Sequence, residues 1–163
     1  MIKQKKITIG WREWGCLPEL KIPAIKLKID TGAKTSAIHA FNIKKHSHDG
    51  CDYVHFFVYP IQGNKKISCK CRAKVVDERY VMSSNGHKER RYVIETILNI
   101  GYEQWKIEVT LSDRDPLKFR MLLGRDAMRS RVIIDPNSSF KQGNVPEALL
   151  ERIYKKKSKY RQV

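Results

Sequence analysis

Short stretches in which apolar and polar residues alternate recur along most of the chain, and they predict a protein built mainly of β-strands. Residues 25–29 alternate up to Asp30, which predicts a half-buried strand that ends in the turn Asp30-Thr31-Gly32. Comparable apolar or alternating runs predict further strands at residues 7–9, 53–59, 67–76, 80–82, 92–100, 105–111, 119–124 and 131–136.

Turn residues separate these predicted strands and pair some of them into hairpins. Gly63-Asn64 joins the runs 53–59 and 67–76, and Asn85-Gly86 is a strong turn signal at the tip of a second hairpin. Residues 35–40 fit either a helical turn or a strand, whereas residues 41–50 are polar and predict a loop. Many short strands with few helices favour an all-β barrel or sandwich.

The C-terminal part has a different character. Pro146 lies in the first turn of a helix predicted over residues 146–154, and the lysine-rich tail beyond it is expected to be mobile. We therefore divide the chain into a barrel domain, residues 1–140, and a C-terminal helix with a basic tail, residues 141–163. One or two short helical turns also fit residues 125–130.

The amino-acid composition narrows the class of protein and its expected location. The chain has 163 residues, 41% of them hydrophobic, which suits a globular protein with a real core. There is no apolar run of the ~20 residues needed to cross a bilayer, and no apolar core of a signal peptide follows the charged start. We therefore expect a cytoplasmic protein without a membrane span, whose four cysteines (Cys16, Cys51, Cys69 and Cys71) stay unpaired.

The net charge of +16 favours acidic partners, with nucleic acid the first class to consider. Six of the basic residues fall between Arg152 and Arg161, so the rest of the chain carries a smaller surplus. Aromatic residues make up 9% and are not interleaved with the basic ones along the sequence, as a base-stacking surface would require. The pattern predicts a solvated basic surface, without specific binding to nucleic acid.

Asp30-Thr31-Gly32 is the clearest candidate for chemistry. A carboxylate can transfer protons, a threonine hydroxyl can brace the loop, and glycine lets backbone approach closely. The tripeptide alone is weak evidence because chance and ordinary turn chemistry both supply it.

The residues around it make the case stronger. Ile29-Asp30-Thr31-Gly32-Ala33 is followed about ninety residues later by Met121-Leu122-Leu123-Gly124-Arg125. This pair resembles the two motifs of retropepsin-like aspartic peptidases. The bacterial group labelled ATP-dependent zinc protease or retropepsin-like peptidase is closer still. That likeness rests on three further blocks: Gly10-Trp11-Arg12-Glu13-Trp14, Leu17-Pro18-Glu19-Leu20 and Lys28 to Ala40.

The resemblance implies a small closed β-barrel with a hairpin flap over the active site, here residues 77–91 with Asn85-Gly86 at the tip. It assigns the catalytic carboxylate to Asp30. The loop around it would be supported by Thr31, Gly32 and Ala33, and by the late motif Leu122, Leu123, Gly124 and Arg125.

The sequence departs from the family at one position. Retropepsins usually carry a second aspartate just after the Gly-Ala step, paired with the late arginine. Here Lys34 follows Ala33, so Arg125 needs another partner or has none.

Aspartic peptidases share one proton between two carboxylates, and this chain has one Asp-Thr-Gly. We therefore expect a homodimer that brings two copies of Asp30 together and hydrolyses a protein or peptide. The alternative is a non-catalytic barrel that binds peptides or proteins, with its basic tail docking an acidic partner.

The name of the bacterial group suggests zinc and ATP as possible cofactors, but we expect no cofactor. His46, His48 and Cys51 are weak zinc candidates in a predicted loop, and Cys69 and Cys71 lie on the apolar face of a strand. The sequence contains no Cys-x-x-Cys pair, no His-Glu-x-x-His and no Walker-type phosphate loop.

Overall fold

A computed structural model describes residues 4–82, 85–113, 115 and 118–160, without the side chains of 157–160. The chain order of its elements is β1 Ile7–Ile9, β2 Arg12–Leu17, a 3₁₀ turn Pro18–Leu20, β3 Ile22–Ile29, β4 Ser36–His39, β5 Phe41–His48, β6 Cys51–Val58, β7 Cys69–Met82, β8 Lys88–Ile100, β9 Glu103–Ser112, β10 Met121–Leu123, α1 Arg125–Met128, β11 Val132–Ile134 and α2 Glu147–Tyr160.

Six of these strands close into a barrel, in the order β2-β3-β10-β4-β9-β8. Closure is made by Cys16 of β2, which pairs with Asn99 of β8. A closed barrel leaves no free sheet edge around its circumference, so every barrel strand has a neighbour on both sides. The prediction of a mostly β, closed retropepsin-like barrel is confirmed.

Three strands extend the sheet beyond the barrel in the order β7-β6-β5, and we call them the arm. The prediction of a loop at residues 41–50 is wrong, because β5 pairs with β6 along its length and only Asp49-Gly50 turns the chain. Asp49 and Gly50 both have positive φ, as a tight hairpin turn requires. Residues 36–39 also form a strand, since they are held between β9 and β10.

Pairing in the arm places basic residues beside aromatic ones that are distant in sequence: Tyr53 lies opposite Lys74, and Phe57 opposite Lys70. His55 of β6 lies opposite Lys44 of β5 on one side and Arg72 of β7 on the other. Cross-strand pairing brings together residues that are far apart in sequence, so a scan along the chain does not detect the mixture.

The second predicted hairpin is formed by the far end of β7 and the start of β8, from Asp77 paired with Val93 to Met82 paired with Lys88. We call it the flap hairpin. A bulge between Val75 and Asp77 lets one long strand serve both hairpins, which explains why the sequence indicated two separate strands. Asn85 and Gly86 are exposed at the tip, and Ser84 lies outside the described residues.

The barrel interior is filled by aliphatic side chains from every barrel strand, including the fully buried Leu27, Ile38, Leu98 and Met121. The C-terminal helix packs onto this core through Leu150 and Tyr154. The Tyr154 hydroxyl donates to the Ala24 carbonyl at 2.5 Å. The helix extends to Tyr160, further than the sequence indicated. The boundary between residues 140 and 141 stays a prediction, and side-chain contacts cross it.

Glu13 fastens the two ends of the fold. Its carboxylate is fully buried and accepts hydrogen bonds from the backbone N–H groups of Gly10, Lys141 and Gln142 at 2.7, 2.9 and 3.0 Å. Nearby, β1 pairs in parallel with β11. In the part of the chain that the structure describes, no helix has the length and apolar character to span a membrane.

Candidate active site

The strand β10 brings the two motifs together. It runs parallel to β3, with Leu123 opposite Ile29, and antiparallel to β4, with Met121 opposite Ile38. Immediately after β3, the Asp30 N–H donates to the Leu123 carbonyl at 2.9 Å. The late motif on β10 therefore lies between β3, which ends just before Asp30, and β4, which follows the Asp30 loop.

The Asp30 carboxylate is held by its own turn. Its Oδ1 accepts hydrogen bonds from the N–H groups of Gly32 at 3.0 Å and Ala33 at 3.3 Å. All recorded hydrogen bonds to this side chain within the described residues go to Oδ1, and Asp30 is partly exposed.

Gly32 allows this arrangement through space rather than through an unusual backbone angle. A Cβ at Gly32 would lie 3.2 Å from Asp30 Oδ1, and its φ is outside the left-handed region. The role predicted for this glycine, permitting close approach, has a geometric basis in that contact.

Arg125 has a partner despite Lys34. Its Nη1 donates to the Thr31 carbonyl at 2.8 Å and to the Gly32 carbonyl at 3.1 Å. Its backbone N–H also donates to the Ala33 carbonyl at 2.8 Å. The late motif therefore braces the Asp30 loop through backbone carbonyls, without a second carboxylate. Thr31 is exposed, and bracing by its hydroxyl stays a prediction.

Two small residues lock the motifs together beneath the loop. The Gly124 N–H donates to the buried hydroxyl of Ser36 at 3.0 Å, and Thr110 donates to the Ser36 carbonyl at 3.2 Å. A Cβ at Gly124 would lie 2.7 Å from the carbonyl carbon of Thr35. Sequence reasoning missed Ser36, although a serine in phase with the buried Ile38 is the signal that could have found it.

The flap hairpin exposes apolar side chains. Tyr80 and Met82 of the hairpin are 73 and 61% exposed, and Val76, in the bulge that precedes it, is 44% exposed. Exposed apolar residues on a hairpin are typical of a surface that contacts a ligand or another chain. A cavity of about 170 Å³ lies at its base, lined by residues that include Arg91, Tyr92, Leu111 and Asp113. Closure of the hairpin over Asp30 stays a prediction.

A buried polar pair beside β10 also escaped the sequence reasoning. His39 and Arg120 are 8 and 6% exposed, and the backbone N–H of His39 donates to the backbone carbonyl of Arg120 at 2.9 Å. Burial lowers the pKa of His39, and the charge of Arg120 lowers it further. The Arg120 guanidinium lies 3.7 Å from the exposed carboxylate of Asp115.

The weak zinc candidates lie on the arm. The ring of His46 stacks on that of His55 at 4.5 Å, His48 faces Asp49 at 3.2 Å, and Cys51 begins β6. Within the described ranges, no group of three or more His, Cys, Asp and Glu residues is arranged to hold a metal ion. Cys69 and Cys71 are buried.

The barrel, the inserted late motif and the braced Asp-Thr-Gly loop together define a retropepsin-like protein. The match to a family model agrees: residues 8–144 fit the RimB-like family, described as retropepsin-like aspartic endopeptidase RimB. The chain belongs to this family, and the resemblance inferred from its motifs is confirmed.

Among curated proteins, the chain is 43% identical over 153 residues to a "Probable alpha-L-glutamate ligase" of Shewanella pealeana, covering 94% of this chain. A protein of the same description from Desulfotalea psychrophila is 47% identical over 152 residues, 93% of this chain. The chain spans only 33% and 32% of the length of these two relatives.

Among solved structures, the fold matches the Legionella pneumophila protein Lpg0085, whose function is given as unknown. The TM-score is 0.71 and the identity 25%, covering 85% of this chain and 99% of that one.

Proposed function

We propose that this chain is an aspartic endopeptidase that acts as a homodimer, with one Asp30 from each copy forming the catalytic pair. The observation that carries the proposal is the state of the loop: two backbone N–H groups orient the Asp30 carboxylate, and Arg125 ties the loop carbonyls to the late motif. A turn aspartate without function would need no such bracing from a segment 94 residues away.

Two Asp30 carboxylates about 3 Å apart would share one proton, because both cannot stay ionised at that distance. The ionised member would take a proton from a water molecule as that water attacks the scissile carbonyl. The protonated member would donate its proton to the carbonyl oxygen. On breakdown of the tetrahedral intermediate, the leaving amine would take the proton that the first carboxylate removed from water, and one hydroxyl of the intermediate would return a proton to the second carboxylate. The partial exposure of Asp30 and of the loop after it is what a site completed by a second copy requires.

For the substrate, we propose acidic peptides that contain α-linked glutamates. Two properties support this choice. The chain carries a net charge of +16, which attracts a polyanionic peptide and repels a basic one. The curated relatives that it matches over about a third of their length are named as α-L-glutamate ligases, so a hydrolase in such a protein would meet glutamate-containing peptides.

The test is cleavage of an α-linked oligoglutamate peptide by the full chain, followed by mass spectrometry of the products, with an oligoglutamine peptide of equal length beside it. The Asp30→Asn variant should fold normally and lose activity by at least three orders of magnitude, because one member of the carboxylate pair is gone. Asp126→Asn is the matched control, since it removes an exposed carboxylate next to the site and should leave cleavage unchanged.

Subunit mixing tests the dimer itself. Excess Asp30→Asn protein should suppress the wild-type activity, because mixed dimers hold only one normal carboxylate. Full activity of the Asp30→Asn variant, or activity that is proportional to the wild-type chain whatever the excess of variant, would refute the two-carboxylate mechanism. Tight binding of the peptide by both proteins without cleavage would instead favour the non-catalytic barrel.

A further inference from the structure

One face of the arm combines basic and aromatic side chains, and among the described strand positions that form it none is acidic; the carboxylate of Asp49 lies beyond its end, at the hairpin turn beside His48. Cross-strand neighbours point to the same side of a sheet, so the register of the arm defines this face in three rows. The rows are Phe41, Phe57 and Lys70; Lys44, His55 and Arg72; and His46, Tyr53 and Lys74. We call these nine residues the basic–aromatic face.

The face is open to solvent although its reverse side is core. Alternation along β6 sends Val54, Phe56 and Val58 into the barrel core, while Tyr53, His55 and Phe57 between them stay partly exposed. The lysines and arginine of the face are all exposed. The nearest acidic residue of β6, Asp52, alternates to the other side, where it accepts a hydrogen bond from Ser47.

The rings form two groups of contacts across the strands, one around Phe41 and one around His46. Phe41 stacks on Phe57 at 5.6 Å and on Tyr59 at 4.3 Å, and His46 stacks on His55 at 4.5 Å. The Arg72 guanidinium lies 4.1 Å from the centre of the Tyr53 ring. Alternate residues on β7 are about 7 Å apart, which places the charges of Lys70, Arg72 and Lys74 in a line beside the rings.

We propose that the basic–aromatic face binds single-stranded nucleic acid without sequence specificity. A line of cations fits the backbone of any polyanion, but rings set among the cations fit a polymer that has flat bases. An acidic peptide offers no aromatic surface to these rings. A duplex stacks its bases inside and presents only phosphates, so single strands are the better match.

The site is short and its affinity is dominated by charge. The four cations Lys44, Lys70, Arg72 and Lys74 would neutralise about four phosphates, so the logarithm of the binding constant should fall with the logarithm of salt concentration with a slope of about −3. This binding is independent of peptide cleavage and should persist in the Asp30→Asn variant.

The experiment measures fluorescence anisotropy of a labelled 12-nucleotide uridine strand titrated with the full chain at several salt concentrations. Matched arms use a thymidine strand, a duplex of the same length, and poly-α-L-glutamate as competitor. We expect both single strands to bind at least tenfold more tightly than the duplex. At an equal concentration of negative charge, poly-α-L-glutamate should displace the labelled strand much less than unlabelled single-stranded nucleic acid does.

Two sets of variants separate the contribution of charge to binding from the contribution of ring stacking. The triple variant Lys70→Gln, Arg72→Gln and Lys74→Gln should reduce the salt slope by about 2. The control triple Lys106→Gln, Arg152→Gln and Lys156→Gln removes as many exposed charges elsewhere and should change it much less. Tyr53→Leu and Phe57→Leu, which keep the charge, should each weaken binding about tenfold.

Since Phe57 packs partly against its neighbours, ultraviolet cross-linking of uridine to the wild-type chain gives a readout that needs no variant. Cross-linked peptides should come from β5, β6 or β7. Equal binding of duplex and single strand, unchanged binding by the ring variants, equal competition by poly-α-L-glutamate, or cross-links only outside the arm would each overturn the proposal.

Discussion

Gly124 is the position where the geometry of the candidate site can be tested most directly. Its backbone, with φ −90° and ψ 173°, is acceptable for alanine, so an added methyl group meets no conformational strain. The obstacle is space: a Cβ would lie 2.7 Å from the Thr35 carbonyl carbon and 2.9 Å from the Ser36 nitrogen. Both neighbours are backbone atoms, so the two motifs must move apart.

The size of the effect follows from two opposing contributions. Overpacking in a buried site costs about 1–3 kcal/mol. Replacing glycine by alanine in an allowed conformation returns about 0.4–1 kcal/mol through the unfolded state. We therefore expect Gly124→Ala to lower the free energy of unfolding by about 1–2 kcal/mol. With a urea dependence of about 2 kcal/mol per molar, the unfolding midpoint should fall by about 0.5–1 M.

The assay is urea unfolding followed by tryptophan fluorescence, with Gly32→Ala as the matched control. Among the described residues, a Cβ at Gly32 would approach the Asp30 carboxylate oxygen alone, at 3.2 Å, and a side chain can adjust where backbone cannot. Gly32→Ala should therefore unfold near the wild-type midpoint while reducing peptide cleavage, because it displaces the carboxylate. A Gly124→Ala protein as stable as the wild type would refute the reasoning from close contact.

Three further predictions concern the loop and its surroundings. Arg125→Met removes two exposed hydrogen bonds to loop carbonyls, so it should change the unfolding free energy by less than about 1 kcal/mol, yet reduce cleavage at least tenfold and speed amide exchange in the Asp30 loop. Glu13→Gln replaces one carboxylate oxygen by an NH₂ group, which then faces the N–H of Gln142 or those of Gly10 and Lys141, and removes the charge from the remaining hydrogen bonds; it should cost about 2–3 kcal/mol in the same urea assay. Burial and the charge of Arg120 lower the pKa of His39 below its usual 6.5, so on acidification the unfolded chain binds a proton at His39 before the folded chain does. The free energy of unfolding should therefore fall as the pH drops below about 6.5. His39→Asn should flatten that decline, as measured by urea midpoints between about pH 5 and 7.5.

The sequence was most informative where local pattern and motif agreed. Alternation up to Asp30 located β3, and the family resemblance implied that the late motif supports the Asp30 loop, beside which the structure shows the Asp30 N–H bonded to the Leu123 carbonyl. The loop geometry around Gly32 is equally local, since it depends on three consecutive residues and their turn.

What the sequence could not show depends on long-range pairing. The strand character of residues 41–48 comes from β6, because an isolated polar segment with two histidines has little strand preference of its own. The burial of Ser36 and Arg120 is likewise set by neighbouring strands. The partner of Arg125 could not be deduced either, since backbone carbonyls leave no trace in residue types.

The carboxylate of Glu13 has a consequence for how the chain is made. Its donors at Lys141 and Gln142 lie 128 and 129 residues further along, and β1 finds its partner β11 over a similar separation. Contacts between residues so far apart in sequence slow folding, because the entropy of closing a long loop is lost before the contact contributes any stabilising free energy. During synthesis, we therefore expect the Glu13 carboxylate to stay hydrated until residue 142 has emerged from the ribosome. The hydrogen bonds that join Glu13 to Lys141 and Gln142 can form only after that point.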